Sequence, residues 1–129
     1  MPGELRIVYV STQYDATVAF YRDGLGLPVL SSWNEGPEAR GTEFQAGCGI
    51  IEIMAYAPNE GKEWQVFLSK PATHLNIAIE ADDVDAWYQH ILNQQLPIRN
   101  AIADFSWGHR GFTLLEPNGH LLYFYTPRT

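Results

Sequence analysis

Apolar and polar positions alternate in "THLNIAIEA", residues 73–81. In an extended chain Leu75, Ile77 and Ile79 fall on one side, and His74, Asn76 and Ala78 on the other. The same period-2 pattern opens the chain at Ile7, Val8 and Val10. Both alternating runs lead through polar residues into a helical period. In the second, Val84, Trp87, Tyr88, Ile91 and Leu92 recur at the spacing of one buried helix face, with Asp82 or Asp83 as the N-cap. In the first, a helix near 14–23 starts beside Asp15, carries Val18, Tyr21 and Leu25 at helical spacing, and stops at Gly24 and Gly26.

The two runs are copies of one pattern. Residues 5–29 and 74–98 align without a gap at an offset of 69, and each ends on the corner Leu27-Pro28 or Leu96-Pro97. Three strands follow each helix, near 28–33, 41–46 and 49–56 in the first half and near 97–103, 111–115 and 120–126 in the second. "EPNG" at 116–119 is a turn between the last two. Matching "IEI" (51–53) to "LYF" (122–124) shifts the offset to 71. The pattern predicts an α+β chain of two β-α-β-β-β modules, about 4–56 and 73–127. A linker over about 57–72, anchored by Trp64 and Phe67, completes a single domain over residues 1–129.

Composition narrows the partners. At 129 residues and 46% hydrophobic, the chain is large enough for a core without staples, and lone Cys48 has no intramolecular disulfide partner. With 8 basic against 15 acidic residues, net charge −7, clustered cations for a phosphate backbone are missing, so nucleic acid is not expected. No run approaches the ~20 apolar residues needed to span a bilayer, and the start "MPGELRIVYV" has no secretory pattern. The expectation is a cytoplasmic protein with no membrane partner. No nucleophile elbow, phosphate loop or Cys-x-x-Cys is present.

The segments "VAFYRDGLGLPV" (18–29), the strand from His74 with its capped helix, and "GFTLLEPNGHLLYFY" (111–125) resemble the vicinal oxygen chelate superfamily. That superfamily includes glyoxalase I, extradiol dioxygenases, and fosfomycin- and bleomycin-resistance proteins. The resemblance implies curled mixed sheets around a cleft, helices outside, and a homodimer. It also implies metal-ligand positions at Leu5, Glu52, His74 and Tyr123, of which only Glu52 and His74 are usual ligands. Leucine cannot ligate, and a neutral phenol with pKa about 10 is a poor ligand. Nor do the other histidines complete the set: His120 is odd-spaced from Tyr123, His109 sits in the "FSWGHRG" turn, and His90 is on the second helix.

No cofactor is therefore expected, with a divalent metal on Glu52 and His74 as the alternative. Glu52 lies mid-strand in "GIIEIMAY", where a carboxylate needs a partner or water. Alternation puts Leu5, Ile7, Tyr9, Ile50, Glu52, Met54, His74, Asn76, Ala78, Leu121, Tyr123 and Tyr125 along the cleft. Trp33, Phe105, Trp107 and Arg110 stand near strand ends, placed to stack on a flat or cationic ligand or to pack at a subunit interface. The ligand-binding candidates are Tyr9, Glu52, Met54, His74, Asn76, Trp107, Arg110, Tyr123 and Tyr125. The leading functional expectation is metal-independent sequestration of an aromatic or cationic small molecule. The alternative is a lyase, isomerase or dioxygenase with a remodelled or metal-free site using Glu52, His74 and Tyr123, and a third is a domain that acts by association alone.

Overall fold

A computed structural model describes residues 3–57, 71 and 73–128. The expected linker, with Trp64 and Phe67, lies almost entirely outside the described residues. The chain divides into two compact units, residues 1–73 and 74–129, referred to below as modules 1 and 2.

Module 1 runs β1 (Arg6–Ser11), α1 (Tyr14–Ala19), β2 (Val29–Asn34), β3 (Arg40–Ala46) and β4 (Gly49–Ala55). Module 2 runs β5 (Asn76–Glu80), α2 (Val84–Asn93), β6 (Ile98–Asp104), β7 (His109–Leu115) and β8 (Leu121–Pro127). Each forms one four-stranded mixed sheet, β1-β4-β3-β2 and β5-β8-β7-β6. In both, the first strand lies parallel to the last while the other pairs are antiparallel. The helix between the first two strands of each module makes that parallel pairing reachable. This is the expected α+β pair of β-α-β-β-β modules.

One face of each sheet is closed by its helix. In module 1, Tyr21 is fully buried against Phe44 at a ring distance of 5.6 Å, with Ile51, Ile53 and Leu25 buried as well. In module 2, Trp87 stacks on Phe124 at 4.8 Å and Tyr88 meets Phe112 at 5.1 Å, while Ile77, Ile79, Leu114 and Leu122 are buried. Leu92, expected on the buried face, is 43% exposed; it adjoins Ile91, which takes the inward direction.

The two helices start and end differently. The Asp83 carboxylate accepts the Ala86 N–H at 3.1 Å, a proper N-cap for α2, whereas Gln13 makes no side-chain cap for α1. The first helix is also not α-helical over the whole of 14–23. From Phe20 to Gly24 it widens into a π-turn, with Leu25 N–H bonded to the Phe20 carbonyl and Leu27 N–H to that of Tyr21. The wider turn accompanies burial of both Phe20 and Tyr21, adjacent residues that a regular α-helix would point about 100° apart.

At their first strands the halves correspond at a different offset from the one read in the sequence. Ile50 N–H donates to the Leu5 carbonyl, and Leu121 N–H to that of Leu75. Residues 5 and 75 are therefore equivalent, an offset of 70 across the first strands, so Leu5 is not the counterpart of His74. At the Leu-Pro corner the offset is 69 as expected, for Gln45 N–H donates to the Pro28 carbonyl and Leu115 N–H to that of Pro97, and at the last strands it is 71 as expected.

Candidate functional site

The sheet face opposite each helix carries the residues with chemistry, and the two faces are unlike. In module 1, strand register puts Arg6, Val8 and Val10 of β1 beside Ile50, Glu52 and Met54 of β4, and Glu43 of β3 directly opposite Glu52. Two carboxylates facing each other across a ladder repel. Arg6 reaches across β4 to both, at 2.8 Å from Glu52 and 3.1 Å from Glu43, and takes Glu4 at 2.7 Å with its other terminal nitrogen. Glu52 and Glu43 are mostly covered, with 12% and 18% of their side chains exposed. The bonds to Glu4 and then Glu52 hold the guanidinium well above its ordinary value. Met54 packs instead against buried Val10 and Ala57.

In module 2 the corresponding face is aromatic. Ala78 lies opposite Tyr123 and Glu80 opposite Tyr125, while β7 brings Gly111 opposite Tyr125 and Thr113 opposite Tyr123. Tyr123 and Tyr125 stack at 5.2 Å, and the His109 ring lies on Tyr125 at 4.2 Å with a 15° interplanar angle. Phe105 and Trp107 form a second, nearly parallel pair at 4.5 Å, its edge turned toward Tyr123. The Tyr123 hydroxyl joins the two groups, accepting from the Trp107 indole N–H at 3.3 Å and lying 3.1 Å from His109 Nδ1. With the Nε2–H tautomer of His109 the phenol donates to that nitrogen, so its donor and one acceptor position are both used. Trp107 remains 63% exposed.

Gly111 makes room for this arrangement, since a Cβ there would stand 2.7 Å from the Tyr123 ring and 2.6 Å from the Phe124 carbonyl oxygen. Its counterpart Gly41 likewise lies under the Trp33 ring, which leaves no space for a side chain.

Several expected site residues lie elsewhere. Tyr9 is on the helix-covered face, buried, its hydroxyl 3.0 Å from that of Tyr21. The parity of β1 is thus the reverse of the expected one, with Arg6 rather than Leu5, Ile7 or Tyr9 beside Glu52. Arg110 is on the helix side of β7, bonded to Asp85 of α2 at 2.8 Å and to Asp104 at 3.1 Å. It holds the Asp85 carboxyl below its usual range. His74 precedes the strand in a left-handed bend with φ 61°, and β5 begins at Asn76. Asn76 and Ala78 do share the helix-free face with Tyr123 and Tyr125, and Glu52 and Met54 share that of module 1. No single cluster gathers Glu52, Met54 and Tyr9.

Two residues were missed in the sequence. The sequence pattern places His109 in a turn, but β7 starts there, two residues early, and His109, Gly111 and Thr113 alternate onto the aromatic face. Arg6 was missed with the offset; matching Leu5-Arg6-Ile7 to Leu75-Asn76-Ile77 would have revealed it. One further polar depression, at the start of α1, is lined by Tyr14, Asp15 and Arg40 among others. There Arg40 is already bonded to Asp15 at 3.0 Å and lies over the Tyr14 ring.

The resemblance assigns four positions to a metal, two in each module. Leu5 has no donor, Glu52 is held by Arg6, Tyr123 is held by Trp107 and His109, and His74 is off the strand. Among the described residues, no three His, Cys, Asp or Glu side chains are grouped to hold a metal ion. Nor is any helix among them long and apolar enough to cross a membrane.

Paired β-α-β-β-β modules with chemistry on their helix-free faces define a class, and the sequence places the chain in it. A family model for the Glyoxalase/Bleomycin resistance protein/Dioxygenase superfamily matches residues 5–124, and the chain belongs to that superfamily. No curated protein sequence matches it. Among solved structures it is similar to TioX from Micromonospora sp. ML1, with 19% identity, TM-score 0.79, and coverage of 98% of this chain and 99% of that one. It is also similar to TnmS3, an antibiotic binding protein from Streptomyces sp. CB03234 (15%, TM-score 0.74, coverage 98% and 97%). Lactoylglutathione lyase from Agrobacterium tumefaciens has the same fold at 17% identity, TM-score 0.73 and coverage of 96% and 92%.

Proposed function

We propose that this is a metal-independent binding protein that sequesters a flat aromatic small molecule on the helix-free face of module 2. The observation that carries the reading is the stacked group of Phe105, Trp107, His109, Tyr123 and Tyr125, with the Trp107 ring open to solvent. Exposed aromatic rings in offset stacks are suited to extend onto a further planar ring. Glu80, opposite Tyr125, favours a neutral or cationic ligand over an anionic one. TnmS3, by its description an antibiotic binding protein, supports this reading by analogy of fold.

The metal-independent part rests on Arg6, which occupies the Glu52 carboxylate. The enzymatic alternative, a lyase, isomerase or dioxygenase using Glu52, His74 and Tyr123, has less support. The base it needs is ion-paired, and the acid already donates or accepts in two bonds. The protein is proposed to work as a homodimer, as the resemblance implies, which sedimentation would check.

The test is titration of tryptophan fluorescence with ethidium, acridine and 2-naphthoate. Saturable quenching by ethidium or acridine, lost in Trp107→Phe and Tyr123→Ala, is the expected result. Quenching that survives both substitutions, or no response to any of the three, overturns the reading.

A further inference from the structure

β6 is an edge strand of the module 2 sheet, and its ladder with β7 is interrupted twice. Ile98 pairs with Leu114, Asn100 with Thr113 and Ala103 with Gly111, so one extra residue of β6 falls on each side of Asn100. Each is a β-bulge, which exchanges the faces of the residues beyond it. In an unbroken strand Asn100 would share the helix side with Ile98, whose partner Leu114 is fully buried. The first bulge turns it instead to the side of Thr113 and Tyr123. Module 1 has that first irregularity too, between Val29 and Ser31, but runs in register from Ser31 to Asn34. The second bulge has no counterpart there. It brings Ala103, rather than Ile102, opposite Gly111, where module 1 has Trp33 opposite Gly41. The space over Gly111 is thereby left to the Tyr123 ring, which leans toward β7.

Asn100 is exposed but fixed at its carbonyl end, where Oδ1 accepts the Thr113 hydroxyl at 2.6 Å. Its Nδ2 keeps two N–H donors, for which the described residues supply no partner. Asn100, Thr113 and Tyr123 stand in one row across the sheet. That row spans two strand spacings, about 10 Å, comparable with a tricyclic ring system.

We propose that Asn100 is a specificity residue of the aromatic face, and that the ligand there is a planar aromatic ketone whose carbonyl oxygen accepts from the Asn100 Nδ2–H. This rests on the ligand reading above and deepens it by naming the ligand's chemical class. Stacking holds any flat ring and does little to choose among substituents. A ring lying on Tyr123 and extending over Thr113 brings a carbonyl on its rim to an amide donor held in place. Thr113 is the positioning residue, since its bond keeps the carboxamide from turning over to present oxygen. Because Asn100 is exposed, a ligand without an acceptor leaves those donors to water, and the preference is moderate, about 5-fold.

The experiment is equilibrium dialysis of the full chain against 9-fluorenone and fluorene, which differ by a carbonyl in place of a methylene, with acridine as the reference. The unmodified protein is expected to bind fluorenone about 5-fold more tightly than fluorene. Asn100→Ala should equalise the two by weakening fluorenone alone. Asn100→Asp still accepts from Thr113 but turns a carboxylate oxygen toward the ligand, and should bind fluorenone less tightly than fluorene. Thr113→Val should reduce the preference while leaving fluorene binding unchanged.

Equal binding of the two compounds by the unmodified chain, or a preference that survives Asn100→Ala, overturns this proposal alone. So does an Asn100→Ala variant that weakens both compounds together, which a merely structural role would produce. Acridine bound without either fluorenone or fluorene also overturns it and leaves the ligand reading intact. Binding of none of the three overturns both.

Discussion

The helix-free faces of the two modules sit on the same backbone and have opposite chemistry. At equivalent positions of the last strand, module 1 has Glu52 and Met54 where module 2 has Tyr123 and Tyr125. At equivalent positions of the first strand it has Arg6 where module 2 has Asn76. The consequence is an ion cluster in one module and an aromatic stack in the other. The helix-covered faces, by contrast, are built alike, from buried apolar residues under one helix. A duplicated fold therefore keeps the face that holds it together similar and differentiates the face free to do chemistry.

If the covered faces are equivalent, cutting either should cost alike and heavily. Phe124→Ala is expected to destabilise the protein by about 3–5 kcal/mol and its counterpart Ile53→Ala by about 2–5 kcal/mol, measured by urea unfolding. A cost under 1 kcal/mol at either position would show that the two cores are not equivalent.

On the free faces the response should be one-sided. Tyr123→Ala, which removes both a stacked ring and the hydroxyl joining Trp107 to His109, is expected to weaken acridine binding by at least ~10-fold, with Trp107→Ala close behind. Glu43→Gln in module 1 should leave acridine binding unchanged.

A smaller contrast lies in the helix starts. Asp83→Ala removes a side-chain cap and should cost about 1 kcal/mol, while Gln13→Ala removes no such cap and should cost less.

The last effect is pH-dependent and confined to module 2. His120 is fully buried and accepts the Leu75 N–H on Nδ1 at 3.0 Å. Burial lowers its pKa, Glu116 opposes that shift, and His74 adds to it. With the folded value below that of free imidazole, the unfolded chain takes up the proton first. The stability contributed is full above about pH 6.5 and falls away as the pH drops from there through the folded value. Thermal melts between pH 7.5 and 5 should show this loss, and His120→Asn, which keeps an acceptor for Leu75, should flatten it.

Much of the architecture was legible because period and burial agree. Val84, Trp87, Tyr88 and Ile91 mark a helix face that does pack on its sheet, and the repeated Leu-Pro corner marks equivalent strand starts. The helix-free face of module 2 was legible for the same reason, as Asn76, Ala78, Tyr123 and Tyr125 keep strict alternation.

What failed did so at places where alternation carries no phase. "LRIVYV" is apolar at nearly every position, so its period does not say which side faces the helix. A one-residue error there exchanged Tyr9 for Val8 and hid Arg6. Arg110 follows a turn whose length fixes its side, and only the structure shows Asp85 and Asp104 claiming it. The π-turn after Ala19 leaves no mark in a pattern read at the α-helical period.

The central claim is that the aromatic face of module 2, not the ion cluster of module 1, receives the ligand. Its most direct test is chemical-shift mapping of the isotope-labelled full chain during an acridine titration. The Trp107 indole N–H and the ring protons of Tyr123 and Tyr125 should move in a saturable, concerted way, while the backbone amides of Arg6, Glu43 and Glu52 stay still. Shifts centred on those three residues, with Trp107 and Tyr123 unmoved, would contradict the account.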